Sequence, residues 1–304
     1  MARVVDFLFG RRTQVPVSRP VFVVGCGRSG TALLFNLLSA CPELVATAGH
    51  PDGEDHVGWI EHGGARIAGL ANPKGDSGHV GHHLCLHMDE SDATEETRTS
   101  MHRHYALGVL KDRPSARVLN KCPHLSNKLR FVRALFPDAR FLHIVRDPVA
   151  MVASWVKVMQ AVPELLLYWP ETDYPCWWVF PTKDAAAGRN ALASDSRWYP
   201  GGGLLRFADY WAAVNANVPR QLSDTPEQLH TVRYEDLVAR PEEIMRRVHD
   251  FCELDGSAAQ FPAVQRERNI AYRHLLSEED VRAIRERTRS VAESFGYEQQ
   301  AVRP

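Results

Sequence analysis

The stretch VFVVGCGRSGTALLFN, residues 21–36, constrains the fold more than any other part of the chain. An apolar run breaks into a turn holding Gly25, Gly27 and Gly30. From Thr31 a helical pattern follows, with Leu33, Leu34, Leu37 and Leu38 at helix spacing. A buried strand that enters a glycine turn and then a helix is half of a βαβ unit, so a parallel sheet with crossover helices is the natural continuation. The turn also carries chemistry, because its backbone N–H groups and the helix N-terminus converge where an anion would sit. Gly25 and Gly30 have the GxxxxG spacing of a nucleotide-phosphate loop. Thr31, however, stands where that loop has its lysine, and the nearest cation is Arg28, inside the loop.

Further apolar runs read as strands at Val21–Gly25, Leu44–Ala46, Val118–Asn120, Phe141–Val145 and His230–Tyr234. Helical patterns at Thr31–Ala40, Leu125–Leu135 and Pro148–Met159 separate most of them, which predicts an α/β protein with a parallel sheet. Pro241 sits at a first helical position followed by Glu242 and Glu243, and Ser277 with Asp280 forms a capping-box pattern ahead of the last helix. Two segments resist this alternation: 47–90, rich in Gly and His, and 162–203, rich in aromatics, Pro and Gly. They read as irregular insertions, candidates for the acceptor side of a site.

At 304 residues the chain fits one large domain or two small ones. A net charge of −1 argues against broad nucleic-acid binding, so any positive charge at the site must be local. Cys26, Cys41, Cys85, Cys122, Cys176 and Cys252 are scattered without a CxxC pair, as in a reduced cytoplasmic protein. The N-terminal apolar run is too short for a signal peptide, and no stretch is long and apolar enough for a membrane span.

A loop that merely turns on glycine would not need Ser29, Thr31 and Arg28 together; those residues suit phosphate or sulfate oxygens. A P-loop kinase of a small molecule would want lysine at position 31 and an acid on a neighbouring strand for magnesium. The strand FLHIVRDP offers Asp147, but Arg146 beside it favours an anion. Arg146 leaving the strand tip and Ser154 about two turns along the next helix can both reach a second phosphate.

These segments resemble the sulfotransferases that use 3′-phosphoadenosine 5′-phosphosulfate (PAPS), nearest to the carbohydrate and tyrosylprotein enzymes and their bacterial relatives. GCGRSGTALLFNLLSACPEL is similar to their 5′-phosphosulfate loop and FLHIVRDPVAMVAS to their 3′-phosphate motif. VLNKCPHLSNKLRFVRALFPDARF and VRYEDLVARPEEIMRRVHDF resemble two further runs of that family, in the same order. The resemblance implies a three-layer P-loop-type fold with a central parallel sheet of about five strands. It divides a single sulfotransferase domain into 18–47 (5′-phosphosulfate loop), 48–110 (acceptor-side segment), 117–160 (lysine and 3′-phosphate unit), 161–203 (aromatic insertion or lid) and 204–304 (C-terminal strand and helices).

By the same resemblance, Gly27, Arg28, Ser29, Gly30, Thr31 and Ala32 would hold the 5′-phosphosulfate, and Arg146 and Ser154 the 3′-phosphate. Tyr234 would lie near the adenosine or its 3′-phosphate, and Lys121 against the transferring sulfuryl group with Arg28. PAPS would be the donor and 3′-phosphoadenosine 5′-phosphate (PAP) the product, with no metal. The general base has no matching position; the candidates are Glu54, then His56 and His50, in GHPDGEDHVGWIEHGG. HVGHHLCLH (residues 79–87) could be read as a zinc site, but it fits no standard ligand spacing and reads better as loop histidines. The aromatics between Tyr168 and Tyr199 could pack as a satellite core, wall an acceptor site, or form a homodimer interface.

The reading is therefore a sulfotransferase acting on a hydroxyl, or less readily an amine, of a small metabolite or glycan. Its rivals are the small-molecule kinase and a non-catalytic nucleotide-binding protein on the same scaffold.

Overall fold

The computed structural model describes residues 17–47, 54–63, 88–161, 165–168, 176–179, 198–200, 204–255 and 272–297. Five parallel strands form the central sheet: β1 (Val21–Val24), β2 (Leu44–Ala46), β3 (Arg117–Lys121), β4 (Arg140–Val145) and β8 (Leu229–Arg233). Their order is β2-β3-β1-β4-β8. The chain leaving β1 runs to one side of the sheet and the chain leaving β3 crosses to the other. That reversal of direction opens a crevice beyond the carboxyl ends of the strands around β1. Register aligns Val23 with Lys121 on one side and Leu142 on the other, so β1 and β3 end close together and β4 runs two residues further, past the glycine turn.

The helices follow from the apolar patterning. They are α1 (Thr31–Leu38), α2 (His56–Glu61), α3 (Glu95–His104), α4 (Leu129–Leu135), α5 (Pro148–Ala161), α6 (Leu205–Gln221), α7 (Tyr234–Ala239), α8 (Pro241–Cys252) and α9 (Glu278–Ser294). Alternation along the buried strands sends side chains to both faces. Phe22, Val24, Phe141 and Val145 join the core formed with α4, α5, α6 and α9. Val21, Val23, Leu142 and Ile144 join the core under α1, α7 and α8. Buried on both sides, these strands read as unbroken apolar runs. The Ser277–Asp280 capping box is present at the start of α9.

Where irregular chain was expected, residues 162–203 include a second, antiparallel sheet in the order β6-β5-β7, built from β5 (Leu165–Tyr168), β6 (Cys176–Val179) and β7 (Trp198–Pro200). The register pairs Leu165 with Val179 and Tyr168 with Trp198. Tyr168, Trp177, Trp178, Val179, Trp198 and Tyr199, residue types that favour strands, are consistent with this pairing. Among the described residues, no helix is long and apolar enough to cross a membrane.

Candidate functional site

The glycine turn after β1 is shaped by its own backbone. Gly25 takes φ +138 and a Cβ there would overlap the Ile144 carbonyl of β4, so the turn lies directly on the neighbouring strand. The Gly25 N–H donates to Ser126 Oγ at 2.9 Å, the Gly27 N–H to Tyr210 Oη at 3.0 Å and the Ser29 N–H to the Cys26 carbonyl at 3.1 Å. Arg28 holds φ 70, a left-handed conformation costing a non-glycine residue about 1 kcal/mol or more, of the kind that clusters at binding sites. Gly30 closes the turn at φ 99 as the N-terminal cap residue of α1. No side chain caps α1 and no acid sits in its first turn, so that helix end keeps its attraction for an anion. Ser29 Oγ is fully buried and has no hydrogen-bond partner.

The end of β4 lies beside this turn. Arg146 is 6% exposed, and burial, reinforced by the neighbouring Arg28, draws its guanidinium below its ordinary value. A buried cation of this kind gains from an anionic partner. Its Nη1 donates to the Arg28 carbonyl at 3.1 Å, and the guanidinium stacks 4.5 Å from the centre of the Tyr234 ring. One edge of that ring rests on Gly30, where any Cβ would collide with it. Arg28 Nε donates to Ser154 Oγ at 3.2 Å, from the turn after β1 to α5. Arg28, Arg146, Ser154 and Tyr234, called from separate stretches of sequence, thus form one cluster, with Arg28 reaching toward the serine.

At the end of β3, Lys121 Nζ lies 2.6 Å from Glu54 Oε1, with both residues buried. Asp55 beside it receives two bonds: the Gly58 N–H at 2.9 Å, capping α2, and His104 Nε2 at 2.7 Å on the second oxygen. Gly58 has no room for a side chain because the Asp55–His104 pair fills that space. His62 stacks on His104 at 4.7 Å and its Nδ1 contacts Ser100 Oγ at 3.1 Å. His56 begins α2, while His50 lies outside the described residues, as does the whole of 79–87. Among the described residues no group of three or more His, Cys, Asp or Glu is placed to hold a metal ion.

The match to the sulfotransferase family model spans residues 20–172 and 183–258, which takes in the loop, Lys121, Arg146, Ser154 and Tyr234. This chain belongs to the sulfotransferase family. Among solved structures, the sulfotransferase domain of the curacin biosynthetic pathway superposes with a TM-score of 0.56 at 15% identity, over 93% of this chain and 99% of that one. The sulfotransferase domain of the Synechococcus PCC 7002 olefin synthase gives 0.53 at 16% identity, over 93% and 96%. A sulfotransferase from Alicyclobacillus acidocaldarius gives 0.51 at 18%, over 91% and 94%. These likenesses establish the fold. An uncharacterized protein of Aquifex aeolicus (strain VF5) is 24% identical over 256 residues, 83% of this chain, and the match spans only 27% of that relative's length.

Within this family member, the sequence reading overlooked α6. Tyr210 and Trp211 on that helix contact both phosphate-motif segments: Tyr210 at Gly27, and Trp211 through an Nε1–H bond to the Arg146 carbonyl at 2.8 Å. The signal was present in the apolar spacing of Phe207, Trp211, Val214 and Val218, all buried. His104 as a partner for Asp55 left no such signal.

Proposed function

We propose that this member of the family transfers a sulfuryl group from PAPS to the hydroxyl, less readily the amine, of a small metabolite or glycan. The observation that carries the reading is the second cationic cluster, Arg146 with Ser154 and Arg28, beside a loop already suited to one anion. A nucleotide bearing phosphate at both its 5′ and 3′ ends needs two such sites. The buried, unpartnered Ser29 hydroxyl supports the fit on the 5′ side, as does the uncapped end of α1.

The donor brings a sulfuryl group already activated as a mixed anhydride with phosphate, so the protein's task is placement and charge stabilisation. Gly27 to Ala32 would hold the 5′ end, with Ser29 Oγ donating to an oxygen. Arg146 and Ser154 would hold the 3′-phosphate, and Tyr234 keeps the arginine's plane fixed. Lys121 meets the negative charge that gathers on the leaving phosphate. Glu54, 2.6 Å from that lysine, accepts the proton lost by the acceptor hydroxyl, and the ammonium fixes the carboxylate's orientation. Asp55 and His104 anchor the segment that presents Glu54.

The test is a thermal-shift comparison of PAP, ADP and AMP on wild type and on Arg146→Ala. PAP should raise Tm well above the other two in wild type through mass action, and Arg146→Ala should erase the difference. Equal shifts from all three nucleotides in wild type would overturn the reading and favour the kinase.

A further inference from the structure

Helix α6 touches both phosphate-motif segments within little more than one turn. Tyr210 Oη accepts the Gly27 N–H at 3.0 Å, and the next residue, Trp211, donates to the Arg146 carbonyl at 2.8 Å. The Cys26 thiol donates to the carbonyls of these same two residues, at 4.0 and 3.8 Å. Four residues on, Asn215 donates to Cys26 Sγ at 3.6 Å and to the Trp211 carbonyl at 2.8 Å, and accepts from His143 Nε2 at 2.9 Å. Tyr210 is 3% exposed, and Trp211, Asn215, Cys26 and His143 are fully buried. Solvent therefore offers these groups no substitute partner. Each bond is of ordinary strength, but a backbone carbonyl or amide left unpaired here would carry its full desolvation cost.

We propose that Tyr210 and Trp211 are positioning residues that fix the separation between the Gly27 loop and the Arg146 strand end, so that the two phosphates of one ligand are read together. This rests on the donor reading above. Adjacent residues of one helix are rigidly spaced, so neither segment can shift without moving the other. A ligand bearing two phosphates gains from its second contact only when the spacing matches, as in any bivalent binding event. A ligand with one phosphate is indifferent to that spacing. The positioning role therefore predicts a loss confined to the doubly phosphorylated ligand.

The experiment measures Kd for PAP, adenosine 5′-monophosphate and adenosine 3′-monophosphate on wild type, Tyr210→Phe and Trp211→Phe. Tyr210→Phe removes one hydroxyl without changing the ring. It should weaken PAP about tenfold, the scale of one buried hydrogen bond, while both monophosphates stay within about twofold of wild type. Trp211→Phe should give the same pattern through the Arg146 carbonyl, and carries the test alone if Tyr210→Phe does not fold. Equal weakening of all three ligands would mean a merely structural role and overturn the proposal, as would unchanged PAP affinity. Wild type that fails to prefer PAP over both monophosphates would overturn the donor reading itself, which is a separate result.

Discussion

The loop–β4 half of the site hangs on α6 through buried hydrogen bonds between neutral groups, whereas the Glu54 half is held by carboxylates, in the Lys121–Glu54 ion pair and the Asp55–His104 hydrogen bond. The first arrangement is rigid and indifferent to ligand charge; the second puts ionisable groups where a proton could move. A donor that stays constant across a family suits the first construction. An acceptor that varies, and must give up a proton, suits the second. The two halves should therefore fail differently.

The sharpest separation comes from Glu54→Gln. Turnover, followed as PAP release with an acceptor that supports it, should fall about 10²–10⁴-fold, the range for loss of a general base. The stability gained from PAP should persist. The ligand-free protein should also lose stability, because Lys121 keeps a buried charge opposite a neutral amide. If turnover survives this change, the Glu54 half is not where the proton goes.

A second prediction breaks the loop–β4 half by pH. Burial lowers the pKa of His143 to about 4 from an ordinary 6.5. The unfolded chain therefore takes up a proton near pH 6.5 that the folded protein refuses until about pH 4. The stability tied to the neutral ring is complete above pH 6.5 and is lost progressively down to pH 4, reaching on the order of 3 kcal/mol. His143→Gln should show a smaller loss over that window by chemical denaturation. Parallel losses in the two proteins would assign the acid sensitivity elsewhere.

The smallest effect is expected from Asp55→Ala, which removes the cap of α2 and the bond to His104. It should cost about 1–2 kcal/mol and leave the PAP-dependent Tm shift intact. A lost PAP response would show that the two halves are coupled after all.

All five strands of the central sheet were legible within a residue or two: the inner strands β1, β3 and β4 because burial on both faces makes them mostly apolar, and the edge strands β2 and β8 as short, half-buried runs bounded by polar chain. That Arg28, Arg146 and Ser154 belong together was legible for another reason: loop, arginine and serine are short local patterns whose spacing survives in one dimension. Helix α3 was not, since of its ten residues only Met101 is buried and the rest carry no apolar period. Helix α6 had its stripe, but Asn and Ala dilute it and the Pro- and Gly-rich stretch before it suggests irregular chain. The pairs Lys121–Glu54 and Asp55–His104 join residues 67 and 49 positions apart, and nothing local announces a contact of that kind. Glu54 could be ranked first among the acids of its segment. Its nearness to Lys121 needed the fold.

Tyr234 touches both Gly30 and the plane of Arg146, yet it belongs to the helix that follows the last strand of the central sheet. The loop and the arginine are both synthesised long before it. A nascent chain that has just emitted α6 would own the glycine turn, Arg146 and Ser154 and still lack the ring that stacks on Arg146. Nucleotide protection would then begin only when β8 docks against β4, making ligand binding a clock for the arrival of the C-terminal quarter.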